Sequence, residues 1–209
     1  MLEGGEGVGK TTQAALLGAW LRHAGVPHVV TREPGGTPVG EAIRELVLGR
    51  PDLDVPVESE LLLLLAARAA FVRDVVRPAL AEGKFVVADR FSLSTLAYQG
   101  YGRGLDLEVV RSGIAFATGG LEPDLYVVLD LPVREGAERQ RKAGSRLDRI
   151  ELEGGDFRDR VRAGYLELVD TEPAAVRLDA AGSPEEVHER IRTLLQARFP
   201  ETFAPSGVS

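Results

Sequence analysis

The sequence predicts an α/β domain in which helices cover both faces of a parallel β-sheet. Three observations support this fold class. Short apolar segments alternate with longer amphipathic segments along nearly the whole chain of 209 residues, as they do in β-α-β units. A glycine-rich segment, residues 4–12, separates the first apolar residues from a helical pattern. Polar residues such as Arg32, Asp89 and Asp130 stand at the ends of apolar segments, and parallel sheets bind ligands at the carboxyl ends of their strands.

The individual elements follow from periodicity and from the residues that end each segment. Apolar residues at helical spacing between Ala14 and Leu21 predict a first helix that ends before Gly25. The continuous apolar runs that end at Asp89 and Asp130 are typical of buried parallel strands. In chain order, the sequence predicts strands at residues 28–31, 85–89, 125–130 and 175–179, and helices at residues 10–23, 39–48, 59–81, 94–98, 107–117, 133–142, 157–171 and 184–198.

The two ends of the chain carry separate expectations. Only Met1, Leu2 and Glu3 precede the glycine-rich segment, whereas a typical strand has about five residues. We therefore expect that the natural chain begins further upstream, or else that its first strand is short. At the other end, the segment from Pro200 is expected to fray. Because the sequence has no internal repeat and no linker, residues 1–209 are expected to form one domain.

Composition argues against several classes of protein. Hydrophobic residues make up 44% of the chain and charged residues 27%, as in ordinary globular domains. The formal net charge of −7 argues against an extended nucleic-acid-binding face, which requires a basic surface. The absence of cysteine excludes disulfides, thiol catalysis and cysteine-ligated zinc. The longest apolar run, residues 61–67, is too short to span a bilayer. We therefore expect a cytoplasmic protein without membrane or nucleic-acid partners.

Residues 4–12 match the spacing Gly-x-x-x-x-Gly-Lys-[Ser/Thr] of a phosphate-binding loop, or P-loop. Glycines let backbone N–H groups converge on an anion, and the following helix directs its positive end at the same point. Lys10 would place a cation against the β- and γ-phosphates of a nucleotide. A flexible glycine-rich turn is the alternative, but the helical pattern that follows favours the P-loop. The residues predicted to bind the nucleotide are Gly4, Gly5, Glu6, Gly7, Val8, Gly9, Lys10, Thr11 and Thr12.

The dipeptide Asp89-Arg90 follows a predicted strand and suits phosphate chemistry. Asp89 could hold Mg²⁺ through water, while the hydroxyl of Thr11 ligates it directly. Arg90 could neutralise a second phosphate group. By itself the pair is a weak signal, since an aspartate at a strand end often caps a turn. It gains weight from the hydrogen-bonding residues that follow, which are Ser92, Ser94, Thr95, Tyr98 and Gln99.

Together these segments resemble bacterial thymidylate kinases, and the resemblance covers nearly the whole chain. It implies a P-loop NTPase fold of the nucleoside monophosphate kinase type, with a five-stranded parallel sheet. It also implies that the protein phosphorylates dTMP to dTDP with MgATP, in dTTP synthesis, as a homodimer. The most specific match is residues 89–100. The matching stretches are residues 2–12, 31–37, 66–68, 89–100 and 147–151.

The resemblance also assigns the acceptor site residue by residue. Arg68 matches an arginine that reaches the thymine base, and Tyr98 matches a tyrosine packed beneath the deoxyribose. Arg90 matches an arginine that bridges the donor and acceptor phosphates. Arg44, like Arg32, is a weaker candidate for binding the monophosphate. The full set implied for dTMP is Glu6, Arg32, Leu64, Arg68, Arg90, Ser94, Thr95, Tyr98 and Gln99.

One position departs from the family pattern. Four residues before the helix arginine the family usually has a phenylalanine stacked on thymine, and here that position is Leu64. Residues four apart share a helix face, so Leu64 still faces the base but offers no ring. Phe71, one turn later, is expected to pack in the core. The preference for dTMP over dUMP is therefore left open.

Residues 143–155 are a charged stretch that contains glycine. Taken alone, such a stretch is typical of a solvated surface. One branch of the family carries a basic residue in the P-loop, at the position of Gly7, and the other supplies a catalytic arginine from a lid. The resemblance therefore implies that residues 143–155 are a lid, with Arg146 and Arg149 as the candidate arginines. With Lys10 and Arg90, they complete the predicted catalytic set.

Two alternatives and one ambiguity remain at this point. Another nucleoside monophosphate kinase would share the P-loop and lid, although residues 94–99 argue against it. A non-kinase P-loop ATPase or switch would need a switch threonine or sensor element, and neither is recognisable. A symmetric dimer could form through the helix near residues 60–72 or the helix near residues 107–117, and periodicity does not choose between them.

Overall fold

The computed structural model describes residues 1–144 and 148–203, which form a five-stranded parallel sheet. The strands lie in the order β2-β3-β1-β4-β5, so the first strand is central. In the register of the sheet, Leu2 lies opposite both Asp89 and Val127. The predicted sheet is thereby confirmed. The strands are β1 (Leu2–Glu3), β2 (His28–Arg32), β3 (Phe85–Asp89), β4 (Tyr126–Asp130) and β5 (Ala175–Asp179).

Helices connect successive strands and cover both faces of the sheet. The predicted helix at residues 59–81 is one continuous rod in which a π-helical segment, Val72–Val76, joins two α-helices. The predicted helix at residues 94–98 is longer than expected, since it runs on as a π-helical segment, Leu96–Gly102. The helices are α1 (Lys10–His23), α2 (Pro38–Leu48), α3 (Val57–Phe71), α4 (Arg77–Ala81), α5 (Ser92–Thr95), α6 (Leu107–Thr118), α7 (Val133–Ala143), α8 (Gly155–Thr171), α9 (Pro184–Arg198) and α10 (Pro200–Phe203).

Local sequence signals fix where several helices begin. The hydroxyl of Thr37 accepts from the N–H of Gly40, and Pro38 occupies the first position of α2. The carboxylate of Asp106 caps α6 through the N–H groups of the next turn. At α9, Ser183 and Glu186 form a capping box. Each cap satisfies backbone donors that would otherwise lack partners, and contributes about 1 kcal/mol.

Two apolar cores lie on opposite sides of the sheet. One contains Phe71, Phe91 and Leu168, under α3 and α8. The other contains Leu21 and Ile191, between α1, α9 and the sheet. Phe71 is fully buried, which confirms its predicted core role. Burial of an aromatic side chain of this kind contributes about 1.5–3 kcal/mol.

The prediction that the chain frays from Pro200 is wrong for residues 200–203. These residues form α10, and the ring of Phe203 stacks on Trp20 with 4.6 Å between ring centroids. Phe203 also lies edge-on to Phe85, with centroids 6.2 Å apart. Burial of apolar surface against α1 and β3 therefore outweighs the entropy of a free end. Residues 204–209 lie outside the described part of the chain.

Across residues 1–144 and 148–203, none of the helices has both the length and the apolar character that a bilayer crossing demands.

Candidate active site

The P-loop connects β1 to α1 and requires glycine at several positions. Gly4, Gly7 and Gly9 have φ angles of 131°, 70° and 98°, which other residues rarely adopt. A Cβ atom on Gly4 would lie 2.3 Å from the carbonyl oxygen of Leu129. A Cβ atom on Gly7 would lie 2.1 Å from the carbonyl oxygen of Gly136. Side chains are thus excluded where backbone N–H groups must converge on an anion.

Lys10 is folded back over this loop. Its Nζ donates to the carbonyl oxygens of Gly4, at 3.0 Å, and Gly5, at 2.6 Å. Burial, reinforced by the nearby charge of Arg90, lowers the pKa of Lys10 to about 8. An anion bound on the loop would offset both effects, so this lysine is prepared for a phosphate group.

Thr11 and Asp89 meet next to the loop. The hydroxyl of Thr11 donates to Oδ2 of Asp89 at 2.6 Å. Both offer hard oxygen atoms, the type of ligand that Mg²⁺ prefers. Within residues 1–144 and 148–203, no group of three or more His, Cys, Asp or Glu side chains could hold a metal. The pair therefore fits a cation that takes its remaining ligands from phosphate and water rather than from protein.

Arg90 lies at the centre of the cleft in a strained conformation. Its φ angle is 75°, and its N–H donates to the carbonyl oxygen of Leu2 at 2.9 Å. Its guanidinium donates to Oε1 of Glu6 at 2.6 Å, to the hydroxyl of Tyr98 at 3.1 Å and to the hydroxyl of Ser94 at 3.2 Å. A strained non-glycine residue with its side chain so fixed is typical of a functional site.

The charges of Arg90 and Lys10 control the ionisation of Glu6. Burial alone would raise the pKa of this carboxyl group, but the two cations outweigh burial and lower the pKa to about 2. The Tyr98 hydroxyl also donates to Oε1 of Glu6, at 2.6 Å. Glu6 is therefore ionised at neutral pH and orients both the arginine and the tyrosine.

Arg68 is held on the other side of the cleft by a buried ion pair. Its Nε donates to Oε2 of Glu33 at 2.9 Å, and its side chain is only 4% exposed. Its other nitrogens donate to Oγ1 of Thr95, at 2.7 Å, and to the carbonyl oxygen of Phe91, at 3.0 Å. The planar guanidinium is thus fixed in one orientation at the cleft wall.

The sequence placed Glu33 at the end of a strand but gave it no role, and in the structure it lines the cleft. Burial raises its pKa, and the charge of Arg68 opposes that rise. Among the described residues, its Oε1 has no hydrogen-bond partner. The sequence could have indicated Glu33 only indirectly. A buried arginine such as Arg68 needs a carboxylate partner, and Glu33 is that partner.

The two weaker arginine candidates also reach the cleft. Arg32 pairs with Glu41 at 3.1 Å, and both side chains are about half exposed. Arg44 donates to the carbonyl oxygen of Pro34 at 3.0 Å. Neither arginine is fixed as firmly as Arg68 or Arg90.

The two candidate lid arginines, Arg146 and Arg149, differ in what the structure shows of them. Arg146 lies outside the described residues. Arg149 does not line the cleft, since its Nη2 pairs with the buried carboxylate of Glu60 and its Nε donates to the carbonyl oxygen of Val47 at 2.7 Å. The structure therefore gives no geometric support to Arg149 as a group that contacts phosphate. Arg139, from α7, does line the cleft.

Three further lid-side residues that the sequence did not single out reach the cleft, and these are Gln140, Asp148 and Glu151. The amide nitrogen of Gln140 donates to Oε1 of Glu151 at 2.6 Å. Burial raises the pKa of Glu151 to about 6. By contrast, Asp130 pairs with Arg162, at 2.8 Å, and Arg177, at 2.6 Å, and so has a structural role.

The elements around β1 and β3 thus enclose a cleft of about 470 Å³, within the size range of ligand sites. Most predicted site residues line it, while Gly4, Gly5, Val8 and Arg149 do not. The predicted residues that line the cleft are Glu6, Gly7, Gly9, Lys10, Thr11, Thr12, Arg32, Leu64, Arg68, Asp89, Arg90, Ser94, Thr95, Tyr98 and Gln99.

Comparisons with known proteins agree on one family. The family model described as thymidylate kinase matches residues 2–191. A thymidylate kinase of Synechococcus sp. strain JA-2-3B'a(2-13) is 51% identical over 200 residues, which cover 95% of this chain and 94% of that protein. A thymidylate kinase of Carboxydothermus hydrogenoformans is 47% identical over 195 residues, 93% of this chain and 95% of that protein. The crystal structure of thymidylate kinase from Ehrlichia chaffeensis superposes with a TM-score of 0.72 at 30% identity, covering 93% of this chain and 96% of that one.

Proposed function

Since the chain belongs to the thymidylate kinase family and transfers a phosphoryl group from ATP to dTMP, we propose that the cleft between the P-loop and α3 performs this transfer. The observation that carries the proposal is the position of Arg90. Its guanidinium lies between the P-loop carboxylate of Glu6 and the hydroxyls of Ser94 and Tyr98. A donor phosphate on the loop and an acceptor phosphate beside Tyr98 would both come within reach of this one cation.

The donor end of the cleft binds ATP through residues 4–12. Backbone N–H groups of the loop and the N-terminus of α1 hold the phosphates, and Lys10 turns from the loop carbonyls to the β- and γ-phosphates. Thr11 and Asp89 would hold Mg²⁺, since their oxygen atoms meet beside the loop. When bound, Mg²⁺ would neutralise charge on the phosphate oxygens. The negative charge of bound phosphates would raise the pKa of Lys10 from about 8 toward its ordinary value.

The acceptor end binds dTMP between α3 and the segment that follows β3. Arg68 presents its guanidinium edge to the base, since Glu33 and Thr95 fix its plane. Leu64 supplies apolar contact on the same helix face. The two weaker candidates, Arg32 and Arg44, would bind the monophosphate. Ser94, Thr95, Tyr98 and Gln99 read the base edge and the sugar.

The transfer itself depends on position and charge. An oxygen of the acceptor phosphate attacks the γ-phosphorus of ATP, the bond from that phosphorus to the β–γ bridging oxygen breaks, and ADP leaves. The attacking oxygen is already anionic, so no strong general base is required. Lys10 and Arg90 lower the barrier by matching the charge that spreads over the transferring group.

A lid arginine completes the predicted catalytic set. Arg146, which lies outside the described residues, remains a candidate. Arg149 would have to leave Glu60 before it could reach the transferring group. Closure of the lid would exclude water and so limit hydrolysis of ATP.

A homodimer is the expected assembly, and α6 supplies its most exposed apolar surface. Phe116 is 91% exposed, and Val109, 62% exposed, lies on the same helix. Leu62 of α3 is 66% exposed, and α3 packs on α6. The sequence did not choose between these two helices as the dimer face. Together they would offer one apolar face that a symmetric partner covers.

The cytoplasmic location expected from the sequence can be tested by cell fractionation.

Steady-state phosphoryl transfer with MgATP tests the substrate assignment. The acceptors are dTMP, dUMP, dCMP, dAMP and dGMP, with product identified by chromatography. We expect dTMP to give the highest kcat/KM. If another monophosphate gives the highest kcat/KM, that nucleotide is the substrate instead of dTMP. If ATP is hydrolysed without phosphorylation of any acceptor, the protein is a P-loop ATPase or switch.

A further inference from the structure

Glu60 is a buried carboxylate that the reaction scheme above does not use. It lies in the first turn of α3, and its side chain is 1% exposed. Its Oε1 accepts from Nε2 of Gln99 at 2.8 Å and from Nε of Arg103 at 3.2 Å. Its Oε2 accepts from Nη2 of Arg103 at 3.1 Å and pairs with Nη2 of Arg149. One carboxylate therefore joins three separate segments of the chain.

The first of these contacts fixes a side chain of the cleft wall. A carboxylate only accepts hydrogen bonds, so Gln99 must turn its amide nitrogen toward Glu60. The carbonyl oxygen of Gln99 is then the end of the amide that can serve the acceptor nucleotide, since Gln99 lines the cleft. Gln99 is thereby an acceptor of hydrogen bonds, suited to an N–H or O–H group of the bound nucleotide.

The second contact fixes residues 148–153. The N–H of Arg149 donates to the carbonyl oxygen of Leu48 at 3.0 Å, and its Nε donates to the carbonyl oxygen of Val47 at 2.7 Å. With the Glu60 pair, these bonds hold residues 148–153 between the end of α2 and the start of α3. The same segment brings Asp148, Ile150 and Glu151 to the cleft.

The carboxylate is stable in its ionised form. Burial alone would raise the pKa of Glu60, but the hydrogen bonds from Gln99, Arg103 and Arg149 outweigh burial and lower it. Two guanidinium groups face this single carboxylate. Loss of its charge would take this buried partner from Arg149 and leave Arg103 with the more exposed Glu153.

We propose that Glu60 is a positioning residue, which orients the Gln99 amide toward the acceptor and docks residues 148–153 over the cleft. The proposal deepens the proposed function and rests on it for the role of the acceptor. Both the local stability of residues 148–153 and the affinity for dTMP then depend on the carboxylate of Glu60. Glu60 acts through Gln99 and Arg149, and does not itself touch a reacting atom.

Glu60→Gln tests this directly, because an amide nitrogen cannot accept and two of the four bonds must be lost. Glu58→Gln is the matched control. Glu58 lies in the same first turn of α3 as Glu60, but it is exposed. The readouts are hydrogen exchange of residues 148–153 in the nucleotide-free protein, and kcat and KM for dTMP measured separately.

We expect Glu60→Gln to raise exchange in residues 148–153 about 10-fold or more and to raise the KM for dTMP by a similar factor, since charge-assisted bonds are lost. The change in KM should exceed the change in kcat. Glu58→Gln should stay within about 2-fold of wild type in both readouts, because Glu58 is exposed and lies outside the network around Glu60. Equal behaviour of the two variants would overturn the proposal.

If Glu60→Gln does not fold, two other variants separate the contacts. Arg149→Gln should raise exchange in residues 148–153, and Gln99→Leu should raise the KM for dTMP without raising that exchange. Unchanged exchange in Arg149→Gln would overturn the proposal. If the wild-type protein does not phosphorylate dTMP, the proposed function fails, whereas the exchange measurement still tests the docking role of Glu60.

Discussion

Replacement of Glu33 by glutamine should destabilise the protein and weaken the acceptor site together. Glu33 and Arg68 form an ion pair with side-chain exposures of 3% and 4%. Glu33→Gln keeps the shape of the side chain but removes the one carboxylate that, within residues 1–144 and 148–203, pairs with the buried guanidinium. Arg68 keeps its bonds to Thr95 and to the carbonyl oxygen of Phe91.

The magnitude follows from this geometry. Breaking a buried ion pair by removing one partner costs about 3–5 kcal/mol, because a charge is left without compensation. Two of the three partners of Arg68 survive, and glutamine still offers one accepting oxygen. We therefore expect a loss of about 3 kcal/mol in the free energy of unfolding, at the lower end of that range. The KM for dTMP should rise because Arg68 loses its fixed plane.

Urea unfolding at neutral pH measures the free-energy change, and steady-state kinetics measure the KM. Glu41→Gln is the matched control, since Glu41 pairs with Arg32 and both side chains are about half exposed. It should cost less than about 1 kcal/mol. If the two glutamine variants unfold at the same urea concentration, the argument that burial makes the Glu33 pair important is refuted.

Three more predictions follow from the site and the surface. The pKa of Glu6 falls from an ordinary value of 4.5 to about 2 in the folded protein. About 3 kcal/mol of the free energy of unfolding should therefore be lost as pH falls from about 4.5 to 2. Urea unfolding of wild type should show this loss, and the same loss in Glu6→Gln would assign it to other groups. Leu64→Phe should lower the KM for dTMP about 2- to 10-fold, since an aromatic ring adds about 0.5–1.5 kcal/mol of stacking; an unchanged KM would mean that the ring does not reach the base. Phe116→Glu should shift sedimentation toward the monomer with little change in unfolding of the monomer, because this side chain is 91% exposed; Val39→Glu, 50% exposed on α2, is the control.

The elements with strong local signals could be predicted from sequence. Continuous apolar runs that end in an acid gave β3 its bounds, Phe85–Asp89, and glycine and proline marked most helix ends. The end of the chain was harder. The docking of Phe203 on Trp20 is a contact between residues far apart in sequence, and no local pattern reports it.

The candidate site divides in the same way. The P-loop, Asp89 and Arg90 could be predicted from the sequence, because their spacing along the chain reflects the chemistry. The roles of Glu33 and Glu60 could not be predicted, since each of them acts through an arginine that the fold brings to it. The role of Arg149 stays a prediction, because the match at residues 147–151 suggested a phosphate contact while its guanidinium pairs with Glu60 in this structure.

ATP consumption with and without dTMP, compared between wild type and Arg90→Lys, shows whether Arg90 organises the transfer. We expect wild-type protein to be nearly idle without dTMP and active with it. Arg90→Lys should reduce kcat about 100-fold or more, because lysine cannot contact both phosphate groups with a planar fork. ATP consumption that does not depend on dTMP, or a lysine variant as fast as wild type, would contradict the claim that Arg90 organises transfer between two nucleotides.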